Sequence, residues 1–399
     1  MSRPSPSRRS QVTPFEVMEV LARVARMREE GRDVISLCAG EPAGGAPTAV
    51  SRAAAAIHES REPLTYTPAL GLTELRSAIA QHYRDWYGLD VPAERVAVTT
   101  GSSGAFVLTF LAAFDQGDRV ALARPGYPAY RNILSGLGCE VVDLDCGPEV
   151  RYQPTVEQLA EVHARQPLAG LVLASPANPT GTMIGRAELT AIARWCTEHG
   201  VRLVSDEIYH GITYPEPGAP DPRGVCALEV DDDAVVISSF SKYWGMTGWR
   251  LGWAVVPHDL VGPVDALAGN IALCPPAPAQ MAALSALTDE ALLECEEAVA
   301  GFARTREVLL ELAPRLGWGE AAPADGAFYY YADLGPQLER WPDSAAYAAA
   351  LLEATGVAVT PGGDFDERAG DRHVRLSLAA GPEAVAEAVE RIVAWQAGL

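Results

Sequence analysis

Between about residues 95 and 256, short apolar or β-branched runs alternate with amphipathic helical patterns, and no other feature of the chain constrains its fold as tightly. The runs are Arg95–Thr99, Arg119–Ala123, Glu140–Leu144, Gly170–Ala174, Val201–Asp206, Ala234–Ser238 and Leu251–Val256. Between two of them, Ala187–His199 sets Leu189, Ile192, Ala193 and Cys196 on one stripe and stops at Gly200, a residue suited to a helix C-cap. Alternation of this kind predicts an α/β fold, a mostly parallel seven-stranded sheet covered by helices. Ligands in such sheets bind beyond the carboxyl ends of the strands.

The flanking segments read differently. Upstream, Leu72, Leu75, Ile79, Tyr83 and Trp86 recur at helical spacing, which predicts a helix over Leu72–Tyr87 ahead of Gly88. Downstream, Pro278–Leu316 is helical in pattern with an interruption near Thr288–Asp289. From about residue 320, short strands such as Phe328–Ala332 and His373–Leu378 mix with two helices, as in a smaller α+β unit.

Composition narrows the function. The chain has 399 residues, enough for two or three domains, and a net charge of −21 from 31 basic and 52 acidic residues, the opposite of a nucleic-acid-binding surface. No apolar run approaches the roughly 18–20 residues of a membrane span. Met1–Val12 is polar and rich in Arg, Ser and Pro, without the apolar core of a secretory signal. It reads as a flexible N-terminal arm, with a mitochondrial presequence as the alternative. The seven cysteines are scattered without a CxxC pair, so a reducing, cytoplasmic setting is expected and neither a disulfide framework nor a metal site. Among the 31 basic residues the only lysine is Lys242. Arginine stays protonated, whereas a lysine amine can shed its proton and form an imine.

Five segments that follow candidate strands carry groups able to do chemistry. Ser238–Gly252 holds Ser239, Ser241, Lys242 and Arg250 among glycines and tryptophans, a setting for a nucleophilic lysine beside an anion site. Val201–His210 ends an apolar run in Asp206, a carboxylate able to balance a ring cation, with Tyr209 three residues on. Ser175–Gly181 presents the Asn178 amide before Pro179, whose peptide can be cis. Thr100–Ala105 opens a helix with Gly101, Ser102 and Ser103, where free N–H groups favour a phosphate; it is neither GxGxxG nor a P-loop. Arg124–Pro128 offers the flat ring of Tyr127. Together they supply a phosphate anchor, a stacking ring, an amide donor, a carboxylate for a ring nitrogen and an imine lysine.

With these residues in view the chain resembles the fold-type I pyridoxal-phosphate aminotransferases of class I/II, in their bacterial aspartate, alanine and valine–pyruvate type branch. The resemblance runs from about Thr13 to the C-terminus. It rests on Gly40-Glu-Pro42, Tyr66-x-x-x-x-Gly71, Gly101–Ala105, Pro125-Gly-Tyr127-Pro, Asn178-Pro-Thr-Gly, Asp206-x-x-Tyr209, Ser-x-Ser-Lys242 to Arg250, Gly326-Ala-Phe-Tyr and Val374-Arg375-Leu-Ser. It implies pyridoxal 5'-phosphate as cofactor, with Lys242 as the imine-forming lysine and proton shuttle. It implies that Asp206 pairs with the ring nitrogen, that Tyr209 and Asn178 bond the phenolic oxygen, and that Tyr127 stacks on the ring. Gly101, Ser102, Ser103, Ser239, Ser241 and Arg250 would contact the phosphate, and Tyr66 that of the neighbouring subunit, making a homodimer. Arg375, with Asn178 and the Gly40 backbone, would take the substrate α-carboxylate. It also implies a division into an arm (1–12), a small domain built from 13–49 and 291–399, and a large cofactor-binding domain (50–290).

The expected reaction is amino-group transfer between an L-amino acid and a 2-oxo acid, by ping-pong kinetics. Many relatives have Asp-Phe where this chain has Ala43-Gly44, and some acidic-substrate relatives have lysine at Ser103. Those differences favour valine or alanine with pyruvate. Pro275, Pro276 and Pro278 are a further departure. Aspartate or aromatic donors with 2-oxoglutarate, or β-elimination from cysteine conjugates, are the alternatives. A ligand-sensing transcription regulator would need an N-terminal DNA-binding domain, for which a resemblance starting near Thr13 leaves no room.

Overall fold

The computed structural model describes residues 5–215 and 218–398. Its strands are β1 (Ile35–Ser36), β2 (Val96–Thr99), β3 (Arg119–Arg124), β4 (Glu140–Asp145), β5 (Gly170–Ala174), β6 (Arg202–Asp206), β7 (Val235–Ser239), β8 (Gly252–Val255), β9 (Tyr329–Asp333), β10 (Val357–Ala358), β11 (Thr360–Pro361) and β12 (His373–Ser377). The seven runs read from the sequence are β2 to β8, within one residue at each end. Arg95 falls in a 3-10 turn (Ala93–Arg95) that leads into β2.

These seven strands form one sheet in the order β2-β8-β7-β6-β5-β3-β4. All run parallel except β8, which lies antiparallel between β2 and β7. Central strands β6 to β8 are almost wholly buried because helices cover both faces, which is why they read as continuous apolar runs. The helix Gly101–Ala113 is apolar on nearly every side and packs into one of the two cores flanking the sheet. The helix Arg186–His199 ends on Gly200 in the left-handed conformation, φ 65°, where the absence of a Cβ removes the steric penalty. Pro278–Leu316 divides as its pattern predicts: Thr288 ends a 3-10 turn (Leu284–Leu287) and caps the helix Asp289–Leu312 with its side chain.

A second, antiparallel sheet (β11-β12-β9) lies outside the first. The short parallel pair β1–β10 joins residues 35–36 to 357–358, so segments from both sides of the large sheet in sequence meet in space. Arg8–Ser10 form one 3-10 turn, while residues 1–4 of the arm lie outside the described residues. No helix among the described residues is long and apolar enough to cross a membrane.

Candidate active site

Five strand ends converge on one cleft. β2, β3, β5, β6 and β7 point the same way, so the segments after Thr99, Arg124, Ala174, Asp206 and Ser239 emerge at a common edge. β8 runs the other way, which brings Arg250, two residues before it, to that edge as well. A cavity of about 510 Å³ opens there, lined by Gly40, Ser102, Ser103, Tyr127, Asn178, Asp206, Tyr209, Ser241, Lys242, Arg250 and Arg375. Sequence positions spanning 335 residues are thus gathered at one site. A larger groove of about 770 Å³, bordered by Val156, Trp195 and Glu198, holds none of these groups.

Lys242 lies at the base of this cleft, and its Nζ donates to the Gly40 carbonyl at 2.6 Å. Burial lowers its pKa from 10.5 to about 8; nearby Glu41 and Asp206 oppose the shift, and Arg375 and Arg250 add to it. Asp206, 4% exposed, ends β6. Burial raises its carboxyl to about 6, against donation from the Tyr130 hydroxyl and the Ile208 N–H and the charge of Lys242. The turn that follows is tied down by the buried Glu207, whose Oε1 accepts from the Ala227 N–H (2.7 Å) and the Ser205 hydroxyl (3.0 Å). This turn aims Tyr209 across the cleft, where its hydroxyl meets that of Tyr329 at 2.8 Å.

Arg375 comes from β12 of the small sheet and is 4% exposed. Nη1 donates to Asn178 Oδ1 (2.9 Å) and Nη2 to the Cys38 carbonyl (3.0 Å). Its guanidinium lies 4.4 Å from the Tyr329 ring centre and 4.8 Å from that of Phe365. The Asn178–Pro179 peptide is cis. Tyr127 begins the helix Pro128–Leu137 and faces Phe15 with ring centres 6.3 Å apart.

The first turn of the helix Gly101–Ala113 closes the other end of the cleft. Gly101 has φ +71°, and a Cβ there would stand 2.5 Å from an Arg250 nitrogen. A Cβ on Gly252 would stand 2.8 Å from Ser102 N. The two glycines therefore let a helix start, a strand and a guanidinium crowd together, leaving backbone N–H groups, the Ser102 and Ser103 side chains and a cation around one small space. That is the donor set of an anion site.

Ser239 and Tyr66 do not line the cleft of this chain, the place expected of Tyr66 being the neighbouring subunit's. Ser239 is fully buried, its hydroxyl donating to Leu251 O (2.9 Å) and accepting from the Ser241 hydroxyl (2.8 Å). Tyr66 is 79% exposed and borders no part of the cleft. Other residues gain importance only in three dimensions: Tyr130 on Asp206, Tyr329 on Tyr209, and the run Asp364–Asp366. Asp364 accepts from the Glu16 and Val17 N–H groups (2.8 and 3.0 Å), fixing the start of the helix Glu16–Glu29 at the cleft mouth. The spacing of Tyr130 three residues after Tyr127, one helical turn on, is the signal that could have found it.

The matched family model is aminotransferase class I and II, over residues 32–392. The valine–pyruvate aminotransferase of Mycobacterium tuberculosis is 51% identical over 389 residues, 97% of each chain. The aspartate/prephenate aminotransferase of Thermus thermophilus is 35% identical over 393 residues, 96% of this chain and 97% of that one. A crystal structure of an aminotransferase from Mycobacterium tuberculosis superposes with a TM-score of 0.95 at 49% identity, covering 100% of both chains. The Thermus thermophilus aspartate aminotransferase with maleate gives 0.90 at 34% identity, covering 98% of this chain and 100% of that one. The chain belongs to the class I and II aminotransferase family, and it is a transaminase.

Proposed function

We propose that this aminotransferase binds pyridoxal 5'-phosphate in the cleft and moves the amino group of a small aliphatic L-amino acid, valine or alanine, to and from pyruvate. The observation that carries this reading is the position of the only lysine. Lys242 stands in a cleft with Asp206, Tyr209, Asn178 and Arg375, and its amine is shifted to about 8, within reach of the neutral form near physiological pH.

The residues fit the group. The Gly101 helix start, Ser102, Ser103, Ser239, Ser241 and Arg250 suit its phosphate, the hydroxyls of Ser239 and Ser241 standing 2.8 Å apart. Tyr127 would lie on the ring and Asp206 at its nitrogen. Tyr209 and Asn178 would donate to the phenolic oxygen. When bound, this cofactor supplies an electron sink for the pair left on the substrate Cα. Lys242 takes the proton from Cα and returns it to the cofactor side of the site. Arg375 takes the α-carboxylate, sharing it with Asn178 and the Gly40 N–H, so the Cα–H bond is held in reach of Nζ. Half-reactions of this kind give ping-pong kinetics.

The small residues Ala43 and Gly44, and serine rather than lysine at 103, support an aliphatic donor, as does the name of the 51%-identical relative. Exposed Leu64, Tyr66, Ile271, Leu273 and Met281 support a homodimer in which Tyr66 serves the neighbouring cleft. Seven unpaired cysteines suit a cytoplasmic setting. We also assign residues 13–49 and 291–399 to a small domain that closes on a large one (50–290).

Borohydride reduction should attach the cofactor to a peptide containing Lys242. A screen of donors against pyruvate and 2-oxoglutarate should then favour valine or alanine with pyruvate. Absence of the Lys242 label would overturn the cofactor assignment. Preference for aspartate, or release of pyruvate and ammonia from a cysteine conjugate, would overturn the substrate.

A further inference from the structure

We propose that Tyr329 is a positioning residue of the site: its hydroxyl turns the Tyr209 hydroxyl into a donor aimed at the cleft, and its ring is the platform under Arg375. The inference rests on the cofactor reading above and assigns a residue that reading does not use.

Tyr329 opens β9 and pairs with Ser377 of β12, so it shares a sheet face with Arg375 on the neighbouring strand. It is fully buried. Among the described residues its hydroxyl has one hydrogen-bond partner, Tyr209 Oη at 2.8 Å, and Tyr209 has no other. Each hydroxyl carries one proton. If Tyr209 donates to Tyr329, it has nothing left for an acceptor in the cleft. If Tyr329 donates, the Tyr209 proton is free to face the cleft. A buried donor left unpaired costs about 1–3 kcal/mol, so an anionic oxygen beside Tyr209 selects the second arrangement, in which both protons are used. Burial keeps both phenols protonated, since it raises each above its usual value.

Tyr329 is also the side chain common to the two halves of the site. The Arg375 guanidinium lies over its ring at 4.4 Å, and a Cβ on Gly40, whose carbonyl receives Lys242, would stand 3.6 Å from its hydroxyl. The charged or titratable groups facing the tyrosine pair are Arg375 from β12, Asp206 from β6 and Tyr127 at the start of its helix. Lys242 Nζ lies 5.9 Å from the Tyr209 ring centre.

The test is a pH titration of the visible absorbance of the cofactor-loaded enzyme. A donor to the phenolic oxygen favours the deprotonated chromophore, so weakening it raises the midpoint. Hydrogen bonds in a chain strengthen one another by ~10–30%, so Tyr329→Phe should raise the midpoint by roughly 0.2–0.6 pH unit. Tyr209→Phe should raise it further, and the double variant should match Tyr209→Phe alone. Tyr329→Phe keeps the ring and should bind isovalerate, a carboxylate without an amine, within about twofold of wild type. Tyr329→Leu loses the platform and should bind it about tenfold more weakly. An unshifted Tyr329→Phe midpoint, or a shift that persists without the Tyr209 hydroxyl, would overturn the assignment. Equal isovalerate binding by the Leu variant would overturn the platform role. A wild-type enzyme with no pH-dependent band would overturn the cofactor reading itself, and this inference with it.

Discussion

Replacing Lys242 by methionine should stabilise the cofactor-free protein. Lysine and methionine have similar reach, but only lysine brings a charge into this cleft. Its pKa falls from 10.5 to about 8, with burial as the first cause, which corresponds to about 3 kcal/mol against folding at neutral pH. Nζ faces an open cavity and donates to Gly40 O, so the net gain on removal is smaller, about 2 kcal/mol. The sign follows from the direction of the shift. Below pH 8 the amine is protonated in both folded and unfolded chains, and the full penalty is present. Between pH 8 and 10.5 the folded chain releases its proton first and the penalty fades.

At about 2.1 cal/mol/K per residue the 399-residue chain has an unfolding entropy near 0.8 kcal/mol/K. The methionine variant should therefore melt about 2–3 °C higher at pH 7, and about half of that advantage should be gone by pH 9.5. Differential scanning calorimetry of cofactor-free wild type and variant, at one protein concentration, reads both numbers. A variant that melts at or below wild type at pH 7, or an advantage unchanged by pH, would refute the claim that the site holds its lysine at the expense of stability.

Other perturbations probe the remaining supports. Arg375→Lys keeps the charge but loses the fork that bonds Asn178 and Cys38, so kcat/KM should fall about 10- to 100-fold for every α-amino acid tested, whatever its side chain. Tyr130→Phe removes a donor that holds Asp206 down, so in the cofactor-free protein the carboxyl should titrate above its wild-type position of about 6, read by carbon NMR of labelled aspartate. Asp366→Ala leaves buried Arg124 with Asp145 alone in place of two carboxylates, and urea unfolding should show a loss of about 1–2 kcal/mol, recovered in large part by adding Arg124→Met. Lys242→Arg should fold and show no measurable transamination in a coupled assay, because guanidinium does not release its proton.

The architecture was legible because it is written locally. Strands buried on both faces are continuous apolar runs, helices repeat every three or four residues, and both signals survive without knowledge of partners. The same locality exposed Asp206, Asn178, Tyr127, Gly101 and Lys242, each beside the end of such a run. Ser239 shows what that reading leaves out: the motif names it for the anion site, but only the fold ties its hydroxyl to Ser241 and to the Leu251 carbonyl beside β8. Tyr130 and Tyr329 went unassigned because a tyrosine in an apolar helix or strand looks like any core aromatic until its hydroxyl finds a partner.

By itself, then, the sequence determined the α/β alternation, the order in which chemical groups leave the sheet, and the uniqueness of one lysine. Tertiary structure decided what those groups are able to do. It set Arg375 against Asn178 across 197 residues of chain, joined Tyr329 to Tyr209 across 120, and fixed the helix Glu16–Glu29 to Asp364 across 348. It also decided protonation, moving Lys242 down and Asp206 up. The reason is physical: periodicity is a property of neighbours along the chain, whereas desolvation and hydrogen-bond pairing depend on every segment that closes around a group.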